Sequence, residues 1–352
     1  MKAYFYDILK RFIKSSLITK IFIFLIFALY CFILTICFVK KDVVVSTPGV
    51  INNPSLSFEI ESEEETKFIG TIGIYTYSKV SLLQYWLSKD NIKFTVEDIN
   101  EDLYLDQKEE LKQGMLMKDS SVVSAIVAAY KEASKLDSNI KIENLDTLYK
   151  GVVVTAIYNH ADTELKVGDV ITKVNGESFN NYDEFRQLCS KFALEYDYLM
   201  FSVINDDKTK DVHAKIITRE DKKSLGISVD DTYDAPKTTP ECKIVENYKS
   251  IGPSGGAMTA LSIYDRITDG DITKGKRIVG TGTIDINGNI GAVGGLNEKI
   301  VTAINYEVDI FFVGSYNYEE ALVSYNLHNA TFDLVKVETF SDIIEYLNGL
   351  EG

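Results

Sequence analysis

Gly252-Pro253-Ser254-Gly255-Gly256 is followed by Lys276-Arg277-Ile278-Val279-Gly280-Thr281-Gly282-Thr283-Ile284. Then comes Asn287-Gly288-Asn289-Ile290-Gly291-Ala292-Val293-Gly294-Gly295-Leu296-Asn297-Glu298-Lys299. The first run sets a serine on a glycine-rich turn at the head of an amphipathic helix, Gly256–Ile267. Small neighbours let a substrate carbonyl approach such a serine, and free N–H groups of the turn can bind an oxyanion. Taken alone, a turn of this kind before a helix is more often an N-cap. Asn287-Gly288 between β-prone residues predicts a hairpin. Beyond it the pattern predicts helix 296–306, strand 309–313, helix 318–325, strand 334–337 and helix 342–347. The fold class is α+β.

In this order and at this spacing the three segments resemble the proteolytic domain of Lon-type peptidases. The resemblance implies that Ser254 is the nucleophile, Lys299 its general base, and Thr281 the threonine that hydrogen-bonds the lysine. Gly252, Pro253 and Gly255 form the turn at the oxyanion site. The family usually carries alanine where this chain has Gly255, which implies a looser turn with less preorganised donors. A lysine is a poor base near neutrality unless burial lowers its pKa, because desolvation disfavours the ammonium. Leu296, Ile300, Val301 and Ala292-Val293 offer an apolar pocket for Lys299, and Glu298 is expected to point away from it.

Two other readings compete for the same residues. The turn also fits the G-x-S-x-G elbow of α/β-hydrolases, with Asp309 and His328 as acid and base. The chain after Ser254 is short for such a sheet, and His328 sits in a polar Asn326–Asn329 stretch. Gly270 to Lys276 copies part of a phosphate loop, but Arg277 replaces the residue that would hold magnesium. Asp285-Ile286-Asn287-Gly288 lacks the later acidic ligands of a calcium loop and reads as the hairpin turn. No metal, cofactor or nucleotide is expected.

The middle of the chain, 148–222, has its own pattern. A strand at 151–157 leads to Leu165-Lys166-Val167-Gly168-Asp169-Val170-Ile171 and Val174-Asn175-Gly176, then helix Tyr182–Phe192 and strand Tyr198–Asn205. This resembles a PDZ domain of the bacterial peptidase type. The resemblance implies a carboxylate-binding loop at Tyr149-Lys150-Gly151-Val152 and a peptide added as a strand at the sheet edge. A merely structural β-module is the alternative.

Charge is unevenly placed. The net charge is −15 overall, yet residues 1–41 carry seven basic side chains against Asp7, a net of +6. That acid excess argues against nucleic-acid binding. Residues 21–39 are uncharged and mostly aliphatic or aromatic. As a helix, at ~1.5 Å per residue, they would be ~28 Å long, close to the hydrocarbon core of a bilayer. Lys40-Lys41-Asp42 follows where a cleaved signal would need small residues. More basic residues precede the span than follow it, so the N-terminus is expected in the cytoplasm and the rest outside. Cys189 and Cys242 could pair there, though free thiols fit equally well.

Span, PDZ-like module and Lon-type segment together resemble membrane-anchored, ATP-independent Lon-like peptidases of Gram-positive bacteria. The domain plan is a basic cytoplasmic tail at 1–20, a transmembrane helix at 21–39, and a first part of the proteolytic domain at 43–147. The PDZ insertion at 148–222 and the catalytic part at 225–352 follow. Within 43–147, strands are expected over 43–77 and helices at 96–113 and from Asp119 or Ser120, near Met117-Lys118-Asp119-Ser120. Polar stretches at 137–146 and 228–241 mark boundaries. Protein or peptide substrates and the lipid bilayer at 21–39 are the expected partners, and a homo-oligomer remains open. A non-catalytic PDZ scaffold and an α/β-hydrolase-type esterase are the alternatives to a serine endopeptidase.

Overall fold

The computed structural model describes residues 6, 10, 12–61, 67–99, 107–205, 208–219, 222–245 and 252–350. Its principal elements begin with α1 (Leu17–Phe38), β1 (Val43–Asn52), β2 (Ile69–Ser78), α2 (Leu82–Ser88), β3 (Thr95–Asp98) and α3 (Gln107–Ala133). Next come β4 (Tyr149–Ile157), β5 (Val170–Val174), α4 (Tyr182–Phe192), β6 (Tyr198–Asn205), β7 (Lys208–Lys215) and β8 (Ile227–Tyr233). The last third holds α5 (Gly256–Ile267), β9 (Ile278–Thr281), β10 (Thr283–Ile284), β11 (Ile290–Gly291) and α6 (Leu296–Asn305). It closes with β12 (Ile310–Gly314), α7 (Tyr318–Leu327), β13 (Asp333–Val337) and α8 (Phe340–Gly349). The chain divides into two units, residues 1–47 with 76–99, and residues 48–75 with 100–352.

In the first unit, α1 starts at a Ser16 cap whose side chain accepts from the Thr19 N–H. None of its residues is buried, and it is the one described helix long and apolar enough to cross a membrane. The start of β1 pairs antiparallel with β3, from Val43↔Asp98 to Ser46↔Thr95. Val43, Val45 and Val80 form a small core there. Ser81 and Gln84 make a reciprocal capping box at α2.

The second unit is mixed α+β. Its larger sheet runs β13–β12–β9–β2–β1, with β9 parallel to β2 and β12, and β12 parallel to β13. All residues of β9 and β12 are buried, as the continuous apolar runs of a parallel sheet require when both faces are covered. The two-residue strand period sorts their side chains. Ile278, Ile310 and Phe312 join Met258 and Leu261 of α5, Ile126 of α3 and Ile343 of α8 in one core. Val279, Phe311 and Val313 join Leu296, Ile300 and Ala303 of α6 in the other. Helices α5 and α6 therefore cover opposite faces of the sheet.

A second sheet runs β7–β6–β5–β4–β8 and has its own core of Val152, Val154, Ile171, Phe185, Leu199 and Phe201 among others. Asn181 caps α4 by accepting from the Glu184 N–H.

The structure departs from four of the expectations. Residues 95–98 form a strand rather than the start of a helix, and 100–106 lie outside the described residues. Helix α3 runs unbroken through Asp119 and Ser120, which are interior residues, not caps. The stretch read as a boundary at 228–241 contains most of β8, which pairs along β4 from Ile227↔Ile157 to Tyr233↔Tyr149. The stretch at 137–146 likewise holds a short strand, Lys141–Ile142, paired with Thr238–Thr239. Both Cys189 and Cys242 are free, and burial pushes each thiol up to about 12.

Ile126 is fully buried between α3, α5 and the sheet. Ile126→Ala is expected to lower unfolding free energy by about 3 kcal/mol, transfer and cavity contributions together. Chemical denaturation measures it; a loss below about 1 kcal/mol would mean that this helix face is not packed.

Candidate active site

The serine turn is held from three sides. Gly252 has φ +83°, a left-handed conformation that favours glycine, and its N–H donates to Gly114 O of α3 at 2.9 Å. Ser121 of the same helix donates its Oγ hydrogen to Pro253 O at 3.2 Å. The Gly282 N–H, just past β9, donates to Ser254 O at 2.8 Å. Among the described residues the N–H groups of Ser254 and Gly255 have no hydrogen-bond partner. They lie at the positive end of α5, where an anion is stabilised.

Thr281 ends β9 and faces both of the other expected residues. Its Oγ1 donates to Ser254 O at 3.2 Å and accepts from Lys299 Nζ at 2.8 Å. With its one hydrogen committed to Ser254 O, the hydroxyl can only accept from the amine. A neutral Lys299 amine thus gives one hydrogen to Thr281 and keeps its lone pair. Lys299 is 3% exposed. Burial lowers its pKa to about 8, against smaller opposing effects of Glu320 and Glu298. Glu298 is fully buried, and its carboxylate raises the lysine pKa less than desolvation lowers it.

Gly255 has φ −96°, which any residue can adopt, so conformation does not explain it. Space does. A Cβ there would lie 2.7 Å from Cγ2 of the Thr71 side chain, which β2 brings against the turn. Thr71 takes the room that an alanine would fill.

His328 forms the C-cap of α7, and its Nε2 is 2.8 Å from Asn297 Oδ1. Asp309, the acid of the triad reading, accepts from the Arg277 N–H at 2.7 Å. Thr281 bridges Ser254 and Lys299.

Beside the turn lies a cleft of about 1020 Å³, bounded by α3, the β10–β11 hairpin, Pro253 and β8. The hairpin was anticipated from Asn287-Gly288, and Asp285 Oδ1 accepts there from the Asn287 and Asn289 N–H groups.

The residues expected to bind a peptide, Tyr149, Lys150, Gly151 and Val152, fall on strand β4. Among the described residues β8 runs along the whole of β4, and β5 pairs with it at Val152 and Val153. Tyr149 donates to Asp231 Oδ1 at 3.1 Å, and Lys150 pairs with Asp234. A separate groove of about 500 Å³ lies between α4 and residues 223–229, lined by Phe185, Arg186, Lys223, Leu225 and Ile227. Gly226, between two of these residues in the chain, has φ +67°, and a Cβ there would meet Ala161 at 2.8 Å. Sequence reasoning passed over Leu225-Gly226-Ile227, although apolar residues flanking a glycine at the head of a strand were a visible signal.

Residues 240–348 match the family model of the Lon protease (S16) C-terminal proteolytic domain. The Lon protease of Campylobacter jejuni subsp. jejuni is 27% identical over 150 residues, 42% of this chain and 18% of that protein. The Lon protease of Campylobacter concisus is 26% identical over 160 residues, 44% of this chain and 19% of that protein. The chain thus spans less than a fifth of the length of these relatives. Among solved structures, the PDZ domain of an SdrC-like protein from Listeria monocytogenes is 24% identical and covers 23% of this chain and 88% of its own. Its TM-score is 0.20, too low to establish a fold.

The contact of Gly255 with Thr71 yields a paired test. Gly255→Ala alone is expected to cost about 1–3 kcal/mol of stability through overpacking. Gly255→Ala with Thr71→Ala should recover most of it. Equal melting losses in the single and double variants would show that Thr71 does not set the space at the turn.

Proposed function

We propose that this chain is a membrane-anchored serine endopeptidase that works through a Ser254–Lys299 dyad. The observation that carries the reading is the buried Lys299 amine bonded to Thr281, whose hydroxyl in turn grips the Ser254 backbone. The neutral amine takes the Ser254 hydroxyl proton as Oγ attacks the scissile carbonyl. The oxyanion forms near the N–H groups of Ser254 and Gly255, and the lysine ammonium then protonates the leaving amine. Water attacks the acyl-enzyme with the same amine as base, and the serine proton is restored. No nucleotide takes part in these steps.

Helix α1 serves in this reading as the anchor, with the basic N-terminal tail in the cytoplasm and the catalytic part outside. The β4–β8 module is read as a PDZ domain inserted into the proteolytic fold. Its peptide site is assigned to the groove between α4 and 223–229, where Arg186 and Lys223 place two cations for a C-terminal carboxylate. The substrates are exported or membrane-associated proteins.

Two outcomes are expected. Lys299→Arg, whose guanidinium stays protonated, should lower kcat about 10²–10⁴-fold with the fold intact. In the wild type, kcat should rise as Lys299 loses its proton, with a midpoint near pH 8. Steady-state proteolysis of an unfolded protein without ATP measures both, with Ser254→Ala as the blank. An arginine variant near wild-type speed would remove Lys299 from the mechanism and return His328 to it.

Orientation is tested separately. Protease added to intact cells stripped of their wall should degrade residues 42–352; protection of that part would place it in the cytoplasm.

A further inference from the structure

We infer that strand β8 is a substrate track, carrying a polypeptide from a C-terminus held in the α4 groove into the cleft beside Ser254, so that cleavage falls at a set distance from that C-terminus. The inference rests on the peptidase and groove readings above and adds to them the coupling between the two cavities.

Three observations carry it. First, β8 ends the sheet β7–β6–β5–β4–β8, so its far side pairs with no strand among the described residues. A free strand edge presents alternating N–H and C=O groups to an extended chain. Every residue of β8 is half-buried, so this edge lies in a recess rather than on open surface. Second, both cavities lie along this strand. The groove is lined by Ile227, Ser228 and Val229, and the cleft by Ser228, Val229, Asp230, Asp231 and Tyr233. Ser228 and Val229 belong to both, so the cavities meet on β8. The cleft continues to Pro253, the residue before the candidate nucleophile. Third, the charges are polarised along the track. The groove end carries Arg186 and Lys223, and the cleft end carries Asp230 and Asp231. A terminal carboxylate is thereby favoured at the start of β8 and disfavoured at its end.

Direction follows from that polarity. A peptide whose C-terminus sits at Leu225-Gly226-Ile227 must extend along β8 toward Tyr233, antiparallel to the strand. Strand β8 has seven residues. At ~3.3 Å per residue its first and last residues lie ~20 Å apart. Residues of β8 line the cleft from Ser228 to Tyr233, so a chain that follows the strand needs about seven residues to run its length and a further fixed span to reach Ser254. The distance, rather than the residues at the cut, would then choose the bond.

The test uses the full chain in detergent and a set of unstructured peptides. The peptides share one sequence, with one to four residues inserted near the C-terminus, each made as free acid and as amide. Products are identified by mass spectrometry, with Ser254→Ala as control. The expected result is a cut that stays at the same distance from the C-terminus as residues are inserted. Amidation should lower kcat/KM at least tenfold, mostly through KM. Cleavage that depends on Ser254 but follows the sequence, with acid and amide cut alike, would overturn the track and leave the peptidase reading standing. No Ser254-dependent cleavage of any peptide would defeat the peptidase reading and the track with it.

Discussion

The hydrogen bond from Lys299 Nζ to Thr281 Oγ1 is the contact on which the proposed chemistry depends. A lysine amine in water is protonated at neutral pH and cannot take a proton from serine. Here α6 buries the amine in one side of the molecule, and desolvation favours its neutral form. Glu298 and Glu320 work against that shift but do not cancel it. Lowering the pKa from 10.5 to about 8 corresponds to about 3 kcal/mol of differential destabilisation of the ammonium.

The fold explains why these groups converge. Helices α5 and α6 pack on opposite faces of one sheet, and β9 runs between them. Thr281 is the last residue of β9, at the strand end where the turn before α5 and the first turn of α6 can both reach it. In open sheets with parallel strands, such carboxyl ends are where functional groups gather. The serine turn is then fixed from behind by α3, through Gly114 O and the Ser121 hydroxyl. The turn that carries Ser254 thus rests on a frame of hydrogen bonds from α3 and from the end of β9.

Much of this was legible in the sequence because it is local. The glycine turn, the Asn287-Gly288 hairpin, and the helix and strand periods of the last hundred residues each follow from neighbours in the chain. What the sequence hid depends on distant partners. Asp119 and Ser120 look like helix caps, since short polar side chains favour caps; both lie inside α3, where the neighbouring Ser121 hydroxyl reaches the serine turn, 132 residues on. Asp230, Asp231 and the nearby prolines look like a linker, yet pairing with β4 makes 227–233 a strand. That strand also bears on the proposed peptide site. Tyr149 to Val152 has the right local pattern for a free edge, and only the pairing shows that β8 runs beside it. Gly255 was read as looseness in the turn, whereas Thr71 shows it to be a matter of space.

The central claim, that burial keeps Lys299 available as a neutral base, is open to direct measurement. NMR titration of the lysine side-chain resonances, with Lys299 assigned by its loss in Lys299→Met, reads its protonation without any substrate. A midpoint near pH 8 is expected for Lys299, well below the ~10.4 of a lysine side chain in a model peptide. A Lys299 midpoint at that higher value would contradict the account, because the amine would then be an ammonium at every pH where the enzyme is asked to work.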